Sequence, residues 1–165
     1  MELTKEVIIM IIDIANKNDI NTLVNLRIEY LLSDYKVIED DKLNTIKKNL
    51  PTYFMEHLNK DLFAYVCRNN NEIIGCAFLY VSYKPSNPSF VNGRIGTVMN
   101  AYVKENYRKQ GIGKKLLESL INKGKELDLD YIDLQATEDG YNLYKIIGFV
   151  ENTSKYRYMK YTYNK

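Results

Sequence analysis

Short apolar runs rich in β-branched residues alternate along the chain with stretches in which leucines recur at helical spacing. The apolar runs predict strands over 7–12, 62–67, 73–83, 96–103 and 131–134. The helical spacing predicts helices over 19–32, 42–58, 111–127 and 137–147. The second of these helices is expected to break near Pro51. Alternating tyrosines near the end of the chain predict a terminal strand pair.

The order of these elements predicts the fold class. Asn69-Asn70-Asn71 is a hairpin turn signal between two predicted strands, and helical crossovers join the later strands. Hairpins combined with crossover helices indicate an α/β fold whose central sheet is partly antiparallel. At 165 residues, without an evident linker or repeat, the chain is expected to form a single domain over 1–165.

Composition and charge exclude several functional classes. A formal net charge of +2, from 23 basic and 21 acidic residues, argues against a nucleic-acid partner or an anionic membrane partner. The apolar runs are far shorter than the ~20 residues of a membrane span, and the first residues lack signal-peptide features. We therefore expect a cytoplasmic protein in which Cys67 and Cys76 are buried free thiols. Because His57 is the only histidine, no metal site is expected.

The run from Tyr107 to Leu117 places cations and glycines at the start of a predicted helix, directly after a strand. A helix start carries unpaired N–H groups and a partial positive charge, so acidic residues are usual there. This run instead carries Arg108, Lys109, Lys114 and Lys115. Gly111 and Gly113 would let the backbone approach a ligand closely. The pattern favours a phosphate-binding site over a solvated lysine-rich helix face.

Two common phosphate loops do not fit this run. Arg108 stands where a Walker loop has its first glycine, and Lys115 stands where that loop has serine or threonine. Leu116 occupies the position of the third glycine in the dinucleotide-binding pattern. The run is therefore a different kind of anion-binding loop, made of one turn of backbone amides with flanking cations.

Two motifs, taken together and in this order, resemble the GNAT superfamily of N-acetyltransferases. The strand over 98–103 followed by Arg108-x-x-Gly111-x-Gly113 resembles the acetyl-CoA signature of the family. The segment 143–149, Leu-Tyr-Lys-Ile-Ile-Gly-Phe, is similar to its second signature. The resemblance extends over nearly the whole chain. It implies a mixed, partly antiparallel central sheet with splayed parallel strands, helices on both faces, and acetyl-CoA bound where the strands splay.

The resemblance also implies which residues bind acetyl-CoA, the cosubstrate. The pantetheine arm would pair like an added strand with the backbone of Ala101, Tyr102 and Val103. The pyrophosphate would bind in the loop formed by Arg108, Lys109, Gln110, Gly111, Ile112, Gly113 and Lys114. Thr137 stands where many relatives carry an asparagine that contacts pantetheine, and Asn142 is the alternative for that contact.

The implied reaction is direct attack of a primary amine on the thioester carbonyl. The family commonly uses the tyrosine of the second motif as general acid, which assigns this role to Tyr144; the alternative is that Tyr144 only packs its ring on the sheet. The general base is open. Glu29 in the first helix is a candidate, an ordered water is another, and the loop acids Glu39, Asp40 and Asp41 could attract a cationic amine.

The acceptor separates the alternatives for function. The leading expectation is acetylation of a small-molecule amine, and the second is acetylation of a protein N-terminus or lysine. A CoA-binding sensor module without catalysis is the third, but the intact loop motif and Tyr144 favour an enzyme. The tyrosine-rich tail indicates either the edge of a homodimer or a strand buried within one subunit.

Overall fold

The structure is a computed structural model that describes residues 9–163. The chain divides into two compact units, the first ending at Gln135 and the second beginning at Ala136. The five-stranded sheet belongs to the first unit. The expectation of a single domain over 1–165 stays a prediction.

The strands of the sheet lie side by side in the order in which they occur along the chain. They are β1 (Met10–Ile14), β2 (Leu62–Asn69), β3 (Glu72–Tyr83), β4 (Arg94–Val103) and β5 (Tyr131–Asp133). The neighbours from β1 to β4 are antiparallel, and β4 and β5 are parallel. The α/β fold with a partly antiparallel sheet is therefore confirmed. Val7 and Ile8, which the sequence pattern assigns to the first strand, lie outside the described residues.

Among the described residues, three α-helices of the first unit cover the sheet, and one α-helix belongs to the second unit. They are α1 (Ile20–Asp34), α2 (Asp40–His57), α3 (Ile112–Glu126) and, in the second unit, α4 (Glu138–Ile147). The predicted break in α2 is wrong, because this helix continues through Pro51. Proline removes one hydrogen-bond donor, but Phe54 beyond it is buried and packs edge-to-face on Phe78 at 5.5 Å. This contact keeps the second half of α2 on the sheet.

The sheet is packed on both faces. Phe78 of β3 clusters with Leu23 and Leu26 of α1 on one face. The other face carries α3, which approaches closely because a Cβ atom at Gly124 would lie only 2.8 Å from Ile132 Cδ1. The missing side chain at Gly124 thus sets the spacing between α3 and β5.

The second unit contains α4 and the end of the chain. Thr137 caps α4, since its Oγ1 accepts a hydrogen bond from the Gly140 amide at 3.2 Å, and Gly148 ends the helix with a φ of 114°. The predicted terminal strand pair is wrong, because the described residues after Gly148 contain no strand. The alternating tyrosines are exposed there, and alternation alone does not supply the hydrogen-bonding partner that a strand requires. The homodimer edge stays a prediction.

Candidate active site

β4 and β5 are paired over a short stretch and then separate. The paired residues are Ile95 with Tyr131, Gly96 with Ile132, and Thr97 with Asp133. β5 ends at Asp133, whereas β4 continues to Val103. Within the described part of the chain, β3 pairs with one side of β4 from 98 to 103, and no strand pairs with the other side, which faces β5. The parallel strands are therefore splayed, as the resemblance implies.

The side of β4 that has no strand partner over 98–103 is an open edge of the sheet. Hydrogen bonding to β3 determines which backbone groups of β4 face this open edge. The amide of Lys104 donates to the carbonyl of Ile74 at 2.9 Å, so Gly75 and Val103 form a non-hydrogen-bonded pair. Val103, and Ala101 two residues before it, therefore direct their N–H and C=O groups away from β3. An extended ligand can pair with such groups as an added strand does.

A β-bulge lies at the start of the open edge. The register with β3 shifts between Phe78 and Leu79, which leaves Met99 as the extra residue of β4. Arg27 of α1 holds the bulge, because its Nη1 donates to the Met99 carbonyl at 3.0 Å and to Asn100 Oδ1 at 3.1 Å. No sequence motif marks Arg27, since its role depends on a contact between residues far apart along the chain.

Two buried thiols lie in the central strands. Asn100 donates from Nδ2 to Cys76 Sγ at 3.4 Å, and burial raises the pKa of the Cys76 thiol to about 12. Burial also raises the pKa of Cys67. Both cysteines are free and buried, which confirms the prediction from the sequence. Neither thiol is ionised near neutral pH.

The loop between β4 and α3 exposes backbone donors. Lys109 and Gly111 both lie in the left-handed region, with φ of 60° and 78°. The first hydrogen bond of α3 joins the Lys115 amide to the Gly111 carbonyl at 3.2 Å, so the amides of 111–114 have no partner within the helix. The first turn of α3 carries no acidic residue. These amides and the helix dipole favour a bound anion.

The side chains of this loop take different directions. Ile112 is buried and anchors the start of α3. Arg108 turns back to the strand: its Nε donates to the Val103 carbonyl at 2.9 Å, and its guanidinium lies 5.7 Å from the centre of the Tyr102 ring. Arg108 therefore joins the anion-binding loop to the open edge of β4. Arg108, Lys109, Gln110 and Lys114 are all exposed.

Glu29 of α1 lies beside Tyr102. Burial raises the pKa of the Tyr102 phenol, and the negative charge of the neighbouring Glu29 carboxylate raises it further. The Tyr30 ring packs edge-to-face on Tyr102 at 6.4 Å. Glu29, proposed from the sequence as a base, therefore reaches the part of the open edge that lies nearest the anion-binding loop.

The acidic segment before α2 is not the loop that the sequence predicts. Asp40 and Asp41 form the first turn of α2, and Glu39 precedes them and pairs with Lys42 Nζ at 3.0 Å. Acidic residues stabilise a helix at this end because they face the positive pole of its dipole. That local role accounts for these carboxylates without a substrate.

Another carboxylate stands where β4 and β5 separate. Thr97 Oγ1 donates to Asp133 Oδ1 at 2.6 Å, across the last pair of the parallel register. Asp133 is exposed. Sequence reasoning missed Asp133, because no motif includes it and only the strand pairing brings it to Thr97.

In the second unit, the candidate residues lie on or next to α4. Thr137 uses its Oγ1 as the helix cap, and Asn142 is exposed. The Tyr144 ring is half-buried and packs edge-to-face on Phe149 at 5.8 Å. It also lies across Gly140, where a Cβ atom would be 2.9 Å from Tyr144 Cε2. Gly140 therefore makes room for the Tyr144 ring.

Residues 9–163 contain neither a metal-binding cluster nor a membrane-spanning helix. In that range, no group of three or more His, Cys, Asp and Glu side chains is arranged to hold a metal ion. No helix in the same range has the length and apolar character needed to cross a bilayer.

Comparison with protein families identifies the chain. The sequence model of the Acetyltransferase (GNAT) family matches residues 23–149, a range that includes the open strand, the anion-binding loop and the second motif. The chain belongs to the GNAT acetyltransferase family. It is an acyltransferase that uses acetyl-CoA.

This GNAT acetyltransferase is similar to proteins with different acceptors. An N-alpha-acetyltransferase of Sulfurisphaera tokodaii is 28% identical over 138 residues, which cover 74% of this chain and 81% of the relative. A predicted acetyltransferase from Clostridium acetobutylicum, solved with acetyl-CoA, has a TM-score of 0.80 at 29% identity, covering 92% of this chain and 96% of that chain. An aminoglycoside acetyltransferase from an uncultured soil metagenomic sample, in complex with sisomicin, has a TM-score of 0.65 at 18% identity, covering 93% and 97%. This last likeness concerns the fold alone.

The first unit of the acetyltransferase offers two kinds of backbone group to a ligand. The edge of β4 presents N–H and C=O groups in alternation, which suit a ligand that itself contains amides. The start of α3 presents N–H groups only, which suit an anion. The two sets follow one another along the chain, and Arg108 connects them.

Proposed function

We propose that this acetyltransferase transfers the acetyl group of acetyl-CoA to a primary amine of a small molecule. The observation that carries the donor part of the proposal is the continuity between the open edge of β4 and the anion-binding loop. Outward-facing backbone groups of Ala101 and Val103 lead to the unpaired amides of 111–114. Pantetheine contains amides that can pair with a strand edge, and pyrophosphate is an anion suited to a helix start.

The donor-binding residues of the first unit are those of the first motif, and the resemblance offers Thr137 and Asn142 of the second unit for a contact with pantetheine. Thr137 Oγ1 already accepts a hydrogen bond from the Gly140 amide. We therefore assign the pantetheine contact of the second unit to Asn142, whose side chain is exposed. Arg108 and Lys109 contribute positive charge near the pyrophosphate.

The acceptor reacts as a neutral amine. Its nitrogen attacks the thioester carbonyl, the C–N bond forms, and the C–S bond breaks. The amine nitrogen loses a proton to a base, and the departing CoA thiolate takes a proton from an acid. Keeping a lysine-like amine neutral near pH 7 costs about 4.6 kcal/mol, because its ordinary pKa is about 10.4. A base or a site that favours the neutral amine must offset this cost.

Tyr144 is the proposed acid and Glu29 the candidate base. A phenol keeps its proton near neutral pH and can supply it to a thiolate leaving group. Glu29 is supported by its position beside Tyr102, whose phenol pKa its charge raises. Removal of the proton through an ordered water is the alternative to direct transfer to Glu29.

Two observations bear on the acceptor. A shallow, open groove beside α1 is lined by Val24, Asn25, Ile28, Glu29 and Lys47, so a small molecule in it would lie beside the candidate base. The sisomicin-bound relative shares this fold. Acetylation of a protein N-terminus is the second candidate, and it is favoured by the likeness to the N-alpha-acetyltransferase of Sulfurisphaera tokodaii. The reduced, buried thiols agree with action in the cytoplasm.

Release of CoA thiol in the presence of different amines tests the proposal. The panel contains sisomicin, spermidine, free lysine and a short peptide with a free N-terminus. Turnover with the small amines supports the proposal, and turnover with the peptide alone supports the second candidate. Tight CoA binding by calorimetry without turnover on any amine would indicate a CoA-binding sensor module.

A further inference from the structure

β4 and β5 separate after their last pair, Thr97 with Asp133, and this point is the apex of the gap between them. The Asp133 carboxylate stands at this apex. Its Oδ1 accepts the hydrogen bond from Thr97 Oγ1 at 2.6 Å, which fixes the orientation of the carboxylate. Among the described residues, no side chain or backbone group donates to its Oδ2. The side chain is exposed, so one oxygen is held by the protein and the other is available to a ligand.

The strand register determines the face on which this carboxylate lies. Thr97 and Asp133 are register partners and project to the same side of the sheet. Gly96 and Ile132, the preceding pair, project to the side covered by α3, where Ile132 contacts Gly124. Asp133 therefore projects to the opposite side, the face on which α1 and α2 pack.

The direction of the donor places its reactive end near Asp133, an inference that rests on the proposed function. The anion-binding loop follows Val103, the last residue of β4. A donor whose pyrophosphate lies in that loop runs backward along the open edge toward Met99. Thr97 is two residues before Met99, roughly 7 Å along the strand. The thioester end of the donor and the Asp133 carboxylate thus meet at the same end of the gap.

The surrounding charges distinguish Asp133 from the other groups on this face. The Arg27 guanidinium is held at the bulge by Met99 and Asn100, and it repels a cation there. The Glu29 carboxylate lies beside Tyr102, whose pKa it raises, and Tyr102 is nearer the anion-binding loop. Asp133 is the carboxylate at the apex itself, with Tyr131 beside it on the same strand face.

We propose that Asp133 binds the ammonium group of the acceptor, and that this acetyltransferase therefore selects amines that are cationic before they react. Its Oδ2 binds the ammonium next to the thioester before the nitrogen gives up a proton to the base and attacks as a neutral amine, and Thr97 keeps the carboxylate in place. Asp133 is thus a specificity-determining residue for the acceptor, and Thr97 positions it. Binding of acetyl-CoA does not involve either side chain.

The test compares acceptor and donor parameters in matched variants. Asp133→Asn and Thr97→Val are compared with Asp133→Glu and with Glu126→Gln, which removes an exposed carboxylate from α3. Sisomicin, spermidine and a peptide with a free N-terminus serve as cationic probes, and aniline serves as an amine that is uncharged at the assay pH. Each is measured for turnover and, by calorimetry, for binding to the CoA complex.

We expect Asp133→Asn to raise KM for the cationic probe that reacts by about tenfold or more, while the acetyl-CoA KM stays unchanged. Thr97→Val should raise the same KM by a smaller factor. Asp133→Glu, which keeps the carboxylate, should raise this KM less than Asp133→Asn does, and Glu126→Gln should leave it unchanged. The preference for the cationic probe over aniline should fall in Asp133→Asn. In the same variant, the KM for the cationic probe should depend less on salt concentration.

The outcomes separate this inference from the proposed function. Failure of the wild-type protein to bind CoA overturns the proposed function. If the protein binds CoA, but Asp133→Asn leaves both the KM and the calorimetric affinity for the acceptor unchanged, the role of Asp133 is overturned. The proposed function is not affected by that result. The role of Asp133 is also overturned if no cationic probe binds the wild-type CoA complex. It is likewise overturned if Asp133→Asn lowers the affinity for aniline and for the cationic probes equally.

Discussion

The Nε of Arg108 donates a hydrogen bond to the carbonyl oxygen of Val103 at 2.9 Å, and this bond connects the anion-binding loop to the open edge of β4. The same guanidinium lies against the Tyr102 ring. Arg108 therefore helps to hold both parts of the donor site in one arrangement. A lysine keeps the charge but lacks the planar fork that makes these two contacts together.

For this reason, we expect Arg108→Lys to weaken CoA binding by about tenfold, which corresponds to about 1.4 kcal/mol. Isothermal titration with CoA measures the change, and Lys125→Arg, at an exposed cation in the last turn of α3, is the control. Equal affinities of Arg108→Lys and the wild type would show that the link to Val103 is dispensable for binding.

Gly111 has a φ of 78°, where a residue with a side chain is strained by about 1–2 kcal/mol. A Cβ atom there meets nothing within 4 Å, so the fold should survive a substitution. We expect Gly111→Val to abolish CoA binding by displacing the loop amides, and a bulky residue at Gly113 to do the same. Gly111→Asn, which tolerates this backbone conformation, should bind CoA more tightly than Gly111→Val. Calorimetry with circular dichroism checks both points, and wild-type affinity in Gly111→Val would refute the placement of the pyrophosphate.

Replacement of Tyr144 by phenylalanine tests the proposed general acid. The variant keeps the ring that packs on Phe149 and loses only the hydroxyl. We expect kcat to fall by on the order of tenfold or more, with the acetyl-CoA KM unchanged. Tyr141→Phe is the control, because that hydroxyl donates to Glu151 at 2.6 Å within the same unit. A wild-type kcat in Tyr144→Phe would rule out the acid role.

The candidate base is tested by the pH dependence of the rate. If Glu29 accepts the proton, activity is lost in acid as this carboxylate becomes protonated, and Glu29→Gln should remove or displace that acidic limb. The same variant should lower the pKa of the Tyr102 phenol, because the Glu29 carboxylate raises it. The kcat/KM profile measures the first effect, and NMR of labelled tyrosine measures the second. An acidic limb in the same place with and without Glu29 excludes this residue.

The Asp19–Arg68 pair should make stability depend on pH. Asp19 accepts from Arg68 Nη1 at 3.0 Å and from Nη2 at 2.8 Å, and this pairing holds the Asp19 pKa below its ordinary value of 3.8. The pair therefore contributes stability above about pH 4, and this contribution is lost as the pH falls through the lowered pKa. We expect Asp19→Asn to lower the free energy of unfolding by about 2–4 kcal/mol at neutral pH. Urea titrations should show the difference shrinking in acid, and an equal difference at both pH values would contradict the ion-pair account.

The sequence predicted most of the sheet and the anion-binding loop, because their signals are local. Alternation identifies strands, and the cations around Gly111 identify an anion site without any tertiary information. The break at Pro51 was predicted wrongly because the local effect of proline is outweighed by the burial of Phe54 against Phe78. The terminal strands were predicted wrongly because alternation describes side chains and says nothing of a backbone partner.

The acceptor side was largely invisible in the sequence for a related reason. Arg27 gains its role from Met99 and Asn100, which follow it by more than 70 positions. Asp133 gains its role from a parallel pairing with Thr97, and the register of such a pair is not encoded in either strand alone. Contacts of this kind arise only when the chain has folded.

Burial of the cysteines has a practical consequence for measuring the enzyme. Cys67 and Cys76 are inaccessible in the native protein, and burial holds both as unreactive thiols. A colorimetric thiol reagent added during turnover should therefore react with released CoA and leave the folded protein unlabelled. Labelling of the protein itself would then report unfolding, so a single reagent distinguishes loss of catalysis from loss of structure in each of the variants described above.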